Sequence, residues 1–184
     1  MEIDLDSINL EKSSQYIQIL AVIDTNYVKN NYPNPSKNWR SPTGITSNAL
    51  FMLNSRAPGV SSSEGTGDLS LRLNVGDKIS LMGTSLSDNS GDSAELYGIK
   101  RAAGDRVFSA FTTVIINQAD AESAAETPDI IATSAQSQVF RAYSAIATSS
   151  GSEKLGTIFA LYTRNQNEKT LFGYFYWTWQ ASAA

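Results

Sequence analysis

From Asp68 to Gln180 the chain repeats one pattern: short runs of alternating or continuous apolar residues, punctuated by clusters of Gly, Asn, Asp and Ser. Period two sends successive side chains to opposite faces, so these runs are strands. Short strands punctuated this regularly fold into sandwiches or barrels. Asp68–Leu73 puts Leu69, Leu71 and Leu73 on one face and Ser70 and Arg72 on the other. Asn74-Val75-Gly76-Asp77 then turns and Lys78–Ser85 returns, which predicts a hairpin. Further strands are predicted at Ala94–Arg101, Val107–Gln118, Ser137–Thr148, Lys154–Arg164 and Thr170–Gln180. An earlier one, Tyr16–Asp24, is largely apolar on both faces, as a central strand requires.

Between that strand and the regular part lies Thr25–Gly67, with Pro33, Pro35, Pro42 and Pro58. Only Ala49–Leu53 reads as a strand there, and loops this long in a compact domain are commonly functional. Gln118–Glu126 is rich in Ala, Glu and Gln and stops at Thr127-Pro128, which suits a crossover with a short helix. Residues 1–15 read as a polar tail or edge strand, and 16–184 as one domain. The expectation is an all-β, antiparallel β-sandwich, jelly-roll-like, with one long Pro-rich loop region and at most a short helix.

Composition then excludes several chemistries. With no His and no Cys, a Ser-His-Asp triad, a thiolate nucleophile and His- or Cys-ligated metals are impossible. Gly65-Thr66-Gly67 lacks the third glycine of a dinucleotide fingerprint and opens a strand. No cofactor is expected, and the chain reads as non-enzymatic, carboxylate pairs or Ser-Lys pairs being the remaining catalytic options. The net charge is −4, with 14 basic residues scattered among 18 acidic ones, which argues against nucleic acid and anionic lipid as partners. Met-Glu-Ile-Asp-Leu-Asp is acidic where a signal peptide is basic, and no apolar run approaches the ~20 residues of a membrane span. A cytoplasmic protein is the expectation.

Three places invite a site. Asp88, Asn89 and Asp92, in Ser87–Asp92, could offer oxygens to Ca²⁺, although the same residues make an ordinary hairpin turn and the ligand pattern of a calcium loop is incomplete. Thr170–Trp179 places Leu171, Phe175, Trp177 and Trp179 on one face with Gly173, and Phe172, Tyr174 and Tyr176 on the other. One face fills a core; the second needs a cover, which could be the 25–67 loop, another subunit or a ligand such as a sugar ring. Tyr174, Tyr176, Trp177 and Trp179 are therefore candidate ligand or interface residues. Asp24, Asn26 and Tyr27, just past a buried strand, sit where binding loops start.

Ile23-Asp24-Thr25-Asn26-Tyr27, Tyr32-Pro33-Asn34-Pro35-Ser36 and Pro42-Thr43-Gly44-Ile45 resemble the start of the AidA/PixA family of bacterial proteins. The likeness continues in order through Gly65-Thr66-Gly67-Asp68-Leu69, Asn74-Val75-Gly76-Asp77, Tyr97-Gly98-Ile99-Lys100 and Phe159-Ala160-Leu161-Tyr162, closing on Leu171–Trp177. One branch of the family forms cytoplasmic inclusion bodies in insect-pathogenic bacteria; another is named for dependence on a quorum-sensing autoinducer and is linked to host interaction. The inclusion-forming type protein is methionine-rich, and this chain, with three Met, departs from it there. The resemblance implies a non-enzymatic, self-associating protein whose partner is itself, a homo-oligomer, and it supplies no catalytic residues. The alternative from a different class is a carbohydrate-binding, lectin-like module, with or without calcium.

Overall fold

β1 (Tyr16–Asp24) has the bounds that the alternation predicts, with Ile17, Ile19, Ala21 and Ile23 fully buried. The structure, a computed structural model, describes residues 14–55, 61–87, 90–118, 138–165 and 168–184. Residues 1–13 of the expected tail over 1–15, and the expected crossover helix after Gln118, lie outside those residues. Among the described residues there are eleven strands: after β1 come β2 (Thr43–Gly44), β3 (Leu50–Asn54), β4 (Ser61–Ser62), β5 (Ser70–Leu73) and β6 (Lys78–Leu86). The rest are β7 (Ser93–Gly104), β8 (Thr112–Gln118), β9 (Gln138–Ile146), β10 (Gly151–Asn165) and β11 (Glu168–Ala183).

They form two sheets. The first has the order β3-β1-β6-β9-β8; the second has β4-β5-β11-β10-β7, with β2 alongside β11. Their inner faces share one core, to which the first sheet gives Ile17, Ile19, Ile79 and Leu81 and the second gives Leu69, Leu71, Phe159, Phe175 and Trp177. The all-β sandwich is therefore present. The pairing is mixed, not purely antiparallel, because β1 runs parallel to β6, and β11 runs parallel to both β5 and β2.

The predicted hairpin of β5 with β6 does not form, since the two strands belong to different sheets. Asn74–Asp77 is a corner between layers. Gly76 takes φ +96°, which suits glycine, and its N–H donates to Ala147 O at 2.8 Å. The buried Asp77 carboxylate accepts from the N–H groups of Asn74 and Gln15, both at 2.8 Å. A corner and a hairpin use the same turn chemistry, and both leave alternating leucines on either side. Only the covering layer distinguishes them.

A helix stands at the start of the segment that the sequence reads as irregular. This is α1 (Thr25–Asn31), and Asp24 Oδ1 caps it by accepting from Tyr27 N at 2.8 Å. Buried Val28, with the Asn31 Nδ2 bond to Tyr27 O at 2.9 Å, holds a sequence of weak helix formers. The chain then runs across β11 as a strap. Tyr174 N donates to Ser36 O at 2.8 Å, Ile45 N donates to Tyr176 O at 2.9 Å, and Pro35 packs on Gly173. A Cβ at Gly173 would lie 2.4 Å from Pro35 Cγ, so glycine is what lets the strap approach.

Candidate functional site

Alternation along β11 sorts its aromatics by face, as the sequence indicated. Phe175, Trp177 and Trp179 point inward, and both tryptophans are almost wholly buried. The Phe175 ring stacks on Phe159 at 5.3 Å, Trp177 meets Phe159 edge-on at 5.9 Å, and Trp179 Nε1 donates to Thr157 Oγ1 at 2.9 Å. This corrects the reading of Trp177 and Trp179 as surface candidates: they are core, because their face is the one that meets the other sheet.

Tyr174 and Tyr176 point outward. The strap covers part of that face, since β2 pairs Thr43 and Gly44 with Phe175 and Tyr176, and the Tyr176 ring lies over Gly44. Tyr176 remains exposed. Tyr174 meets Tyr97 edge-on at 5.4 Å, and Tyr97 Oη donates to Trp39 O at 2.9 Å. Burial first, and then the neighbouring Tyr174 phenol, push the Tyr97 phenol up to about 12, so it stays a donor across the physiological range. Beside them Lys169 lies 4.3 Å above the Tyr162 ring and also pairs with Glu95. The sequence reading missed Trp39, Tyr97, Tyr162 and Glu95. The one available signal was Trp39, a large aromatic among loop residues.

The other candidates have structural duties. Asp24 caps α1, Asn26 lies in the helix's first turn, and Tyr27 packs against the core. Asp88 and Asn89 lie outside the described residues. Asp92 is buried with its carboxylate on Lys29, and it also accepts from Arg164 N at 3.3 Å. Among the described residues no group of three or more acidic side chains could hold a metal ion. Burial pushes the Asp92 pKa up, but bonds from Lys29, Ser90 and the Arg164 N–H outweigh it and the net shift is downward. A lowered carboxyl pKa means stability that is complete above the unfolded value of ~3.9 and is lost as pH falls through the folded value. Asp92→Asn is expected to cost about 1–2 kcal/mol at pH 7, with the gap to the parent closing in acid below pH ~3.9. Urea denaturation at pH 7 and pH 3 checks both parts.

On the far side of the molecule, the outer face of the first sheet carries a row whose partners read Leu53, Leu20, Met82, Ala142 and Val114 across five strands. Leu53 and Val114 are exposed at its ends, Leu20 and Met82 are half-buried, and Ala142 is buried. Exposed Phe51 and half-buried Val22 pair in the next row.

The family profile of PixA, described as inclusion body protein, matches residues 15–181. The chain belongs to the PixA family. A crystal structure of the inclusion body protein PixA from Burkholderia cenocepacia J2315 is 66% identical to it, with a TM-score of 0.86 over 96% of this chain and 100% of that one. The solution structure of amebosin is 12% identical over 62% of this chain and 88% of that one, and its TM-score of 0.27 carries no weight for the fold. No curated protein matches the chain. The match to the PixA inclusion body protein family agrees with the resemblance read from the sequence motifs. Among its described residues no helix is long and apolar enough to cross a membrane.

Proposed function

We propose that this PixA family member is a non-catalytic protein that packs against copies of itself to form dense assemblies. The observation that supports this is the uncharged band on the outer face of the first sheet, from Phe51 and Leu53 to Val114. Five strands at a spacing of about 4.8 Å put its exposed ends roughly 19 Å apart, and exposed apolar patches mark interaction surfaces. The neighbouring row on the same face is polar, Gln18, Ser80, Ser144 and Thr112, so the band is an apolar stripe beside a polar one. The resemblance to the autoinducer-dependent branch adds production at high cell density and a role toward a host to the same proposal.

Leu53→Lys with Val114→Lys tests the band at both ends. Both side chains are exposed, so stability should stay within about 0.5 kcal/mol of the parent. The parent should show concentration-dependent association in sedimentation, and inclusions should gather as cultures become dense. The double variant should weaken association at least ~10-fold, because a lysine buried at the contact has no counter-ion there. A parent that stays monomeric up to ~1 mM, a thousandfold weaker than the ~1 μM typical of modest pairs, overturns the proposal. Unchanged assembly of the variant does so too.

A further inference from the structure

We propose that the aromatic cleft on the outer face of the second sheet binds a neutral pyranose carbohydrate. Its floor is Ala160, small and buried, flanked in register by Tyr174 on β11 and Glu95 on β7. Around that floor stand the rings of Trp39, Tyr97, Tyr162 and Tyr174, with Glu95 and Arg141 supplying charged hydrogen-bonding groups. The cavity is about 260 Å³ and adjoins one of about 310 Å³ that shares Glu95, Leu96 and Arg141. The first sits just below the ~300–1,000 Å³ usual for small-molecule sites, and the two together leave room for a second sugar unit.

The positions of the aromatics are built by the fold. On β7 a register shift opposite Ile158 and Phe159 leaves Tyr97 between the paired residues Leu96 and Gly98. Bulges re-aim side chains in this way beside functional sites. The strap carries Trp39 over the sheet, and the Tyr97 Oη bond to Trp39 O pins it there. Trp39 is nonetheless 49% exposed, a large aromatic surface open to solvent on a backbone that the bond holds in place.

Charge selects among ligands. A quaternary ammonium or other cation would suit an aromatic cage, but cations already occupy these rings: Lys169 over Tyr162, and the Arg40 guanidinium 4.9 Å from the Trp39 ring. An anion such as a phosphate would meet Glu95. What remains is an uncharged ring with apolar C–H faces for the aromatics and hydroxyls for a carboxylate acceptor and a guanidinium donor. A pyranose has that surface. None of the residues lining the aromatic cleft belongs to the apolar band, and only Met82 of the adjoining cavity does, so sugar binding and self-association are tested by different substitutions.

Tryptophan fluorescence is a direct readout, because Trp39 is the exposed tryptophan and Trp177 and Trp179 are buried. Titrations would use the methyl pyranosides of mannose, glucose, galactose, fucose and N-acetylglucosamine, with choline as the cationic control, each in calcium and in EDTA. At least one pyranoside should bind saturably with a Kd of ~0.1–10 mM, equally in both conditions. Trp39→Ala, read by calorimetry, and Glu95→Gln should each weaken it at least ~5-fold while melting within ~2 °C of the parent, since both residues are exposed. The Leu53→Lys, Val114→Lys variant should bind as the parent does. No saturable binding by any sugar at ~100 mM, ten times the weakest expected Kd, overturns the proposal. So does binding that both cleft variants leave unchanged, or choline binding more tightly than every sugar.

Discussion

Replacing Trp177 by Ala should lower the unfolding free energy by about 3–5 kcal/mol, as measured by chemical denaturation at pH 7. Trp177 is 1% exposed and joins the Phe159–Phe175 stack at the middle of the core, so truncation leaves a cavity against two flat rings that cannot collapse into it. Against a total of ~5–15 kcal/mol that loss would leave some preparations partly unfolded. The milder replacements separate packing from polar satisfaction. Trp177 Nε1 has no hydrogen-bond partner among the described residues, so Trp177→Phe loses volume alone. Trp179→Phe also removes the donor to buried Thr157 Oγ1 and should cost about 1 kcal/mol more. A Trp177→Ala midpoint within ~1 kcal/mol of the parent would show that the sandwich is not packed on this strand. Assembly lost in a Trp177 or Trp179 variant would therefore report unfolding, and the interface is to be tested at Leu53 and Val114.

Periodicity made the strands legible, and with them the two faces of β11, because alternation records which side chains avoid water. It does not record what covers them. The two apolar faces of Tyr16–Asp24 were read as a central strand, and β1 does lie between β3 and β6. Yet its second face, Leu20 and Val22, contributes to the outer apolar band instead of a second core. The Asn74–Asp77 corner was read as a hairpin for the same reason: Leu73 and Ile79 face one core from opposite layers, and the sequence carries no layer index. α1 was missed because its residues are weak helix formers; the cap at Asp24 and the burial of Val28 decide it. The aromatic cleft was the least legible part. Trp39, Tyr97, Tyr162 and Tyr174 come from the strap and three strands, and only the register of β7, β10 and β11 brings them together.

Glu153→Ala should be the other severe substitution, at about 2–5 kcal/mol in the same denaturation experiment. Glu153 is 3% exposed on β10, and its Oε2 accepts from the N–H groups of Val107 at 2.8 Å and Phe108 at 3.0 Å. Both donors belong to buried residues of the chain leading from β7 to β8, so truncation leaves two buried N–H groups without acceptors, each costing about 1–3 kcal/mol. Glu153→Gln keeps an acceptor oxygen without the charge and should lose roughly half as much. The same logic covers Asp77, which accepts from two backbone N–H groups, and Asp92, which faces Lys29. In each case a buried carboxylate braces a loop against a strand, which is a structural reason for burying an acid that needs no reaction. The contrast to measure is sugar binding and association per folded molecule. Glu153→Gln should leave both unchanged while its midpoint falls, and a loss of either with the midpoint intact would move Glu153 from brace to site.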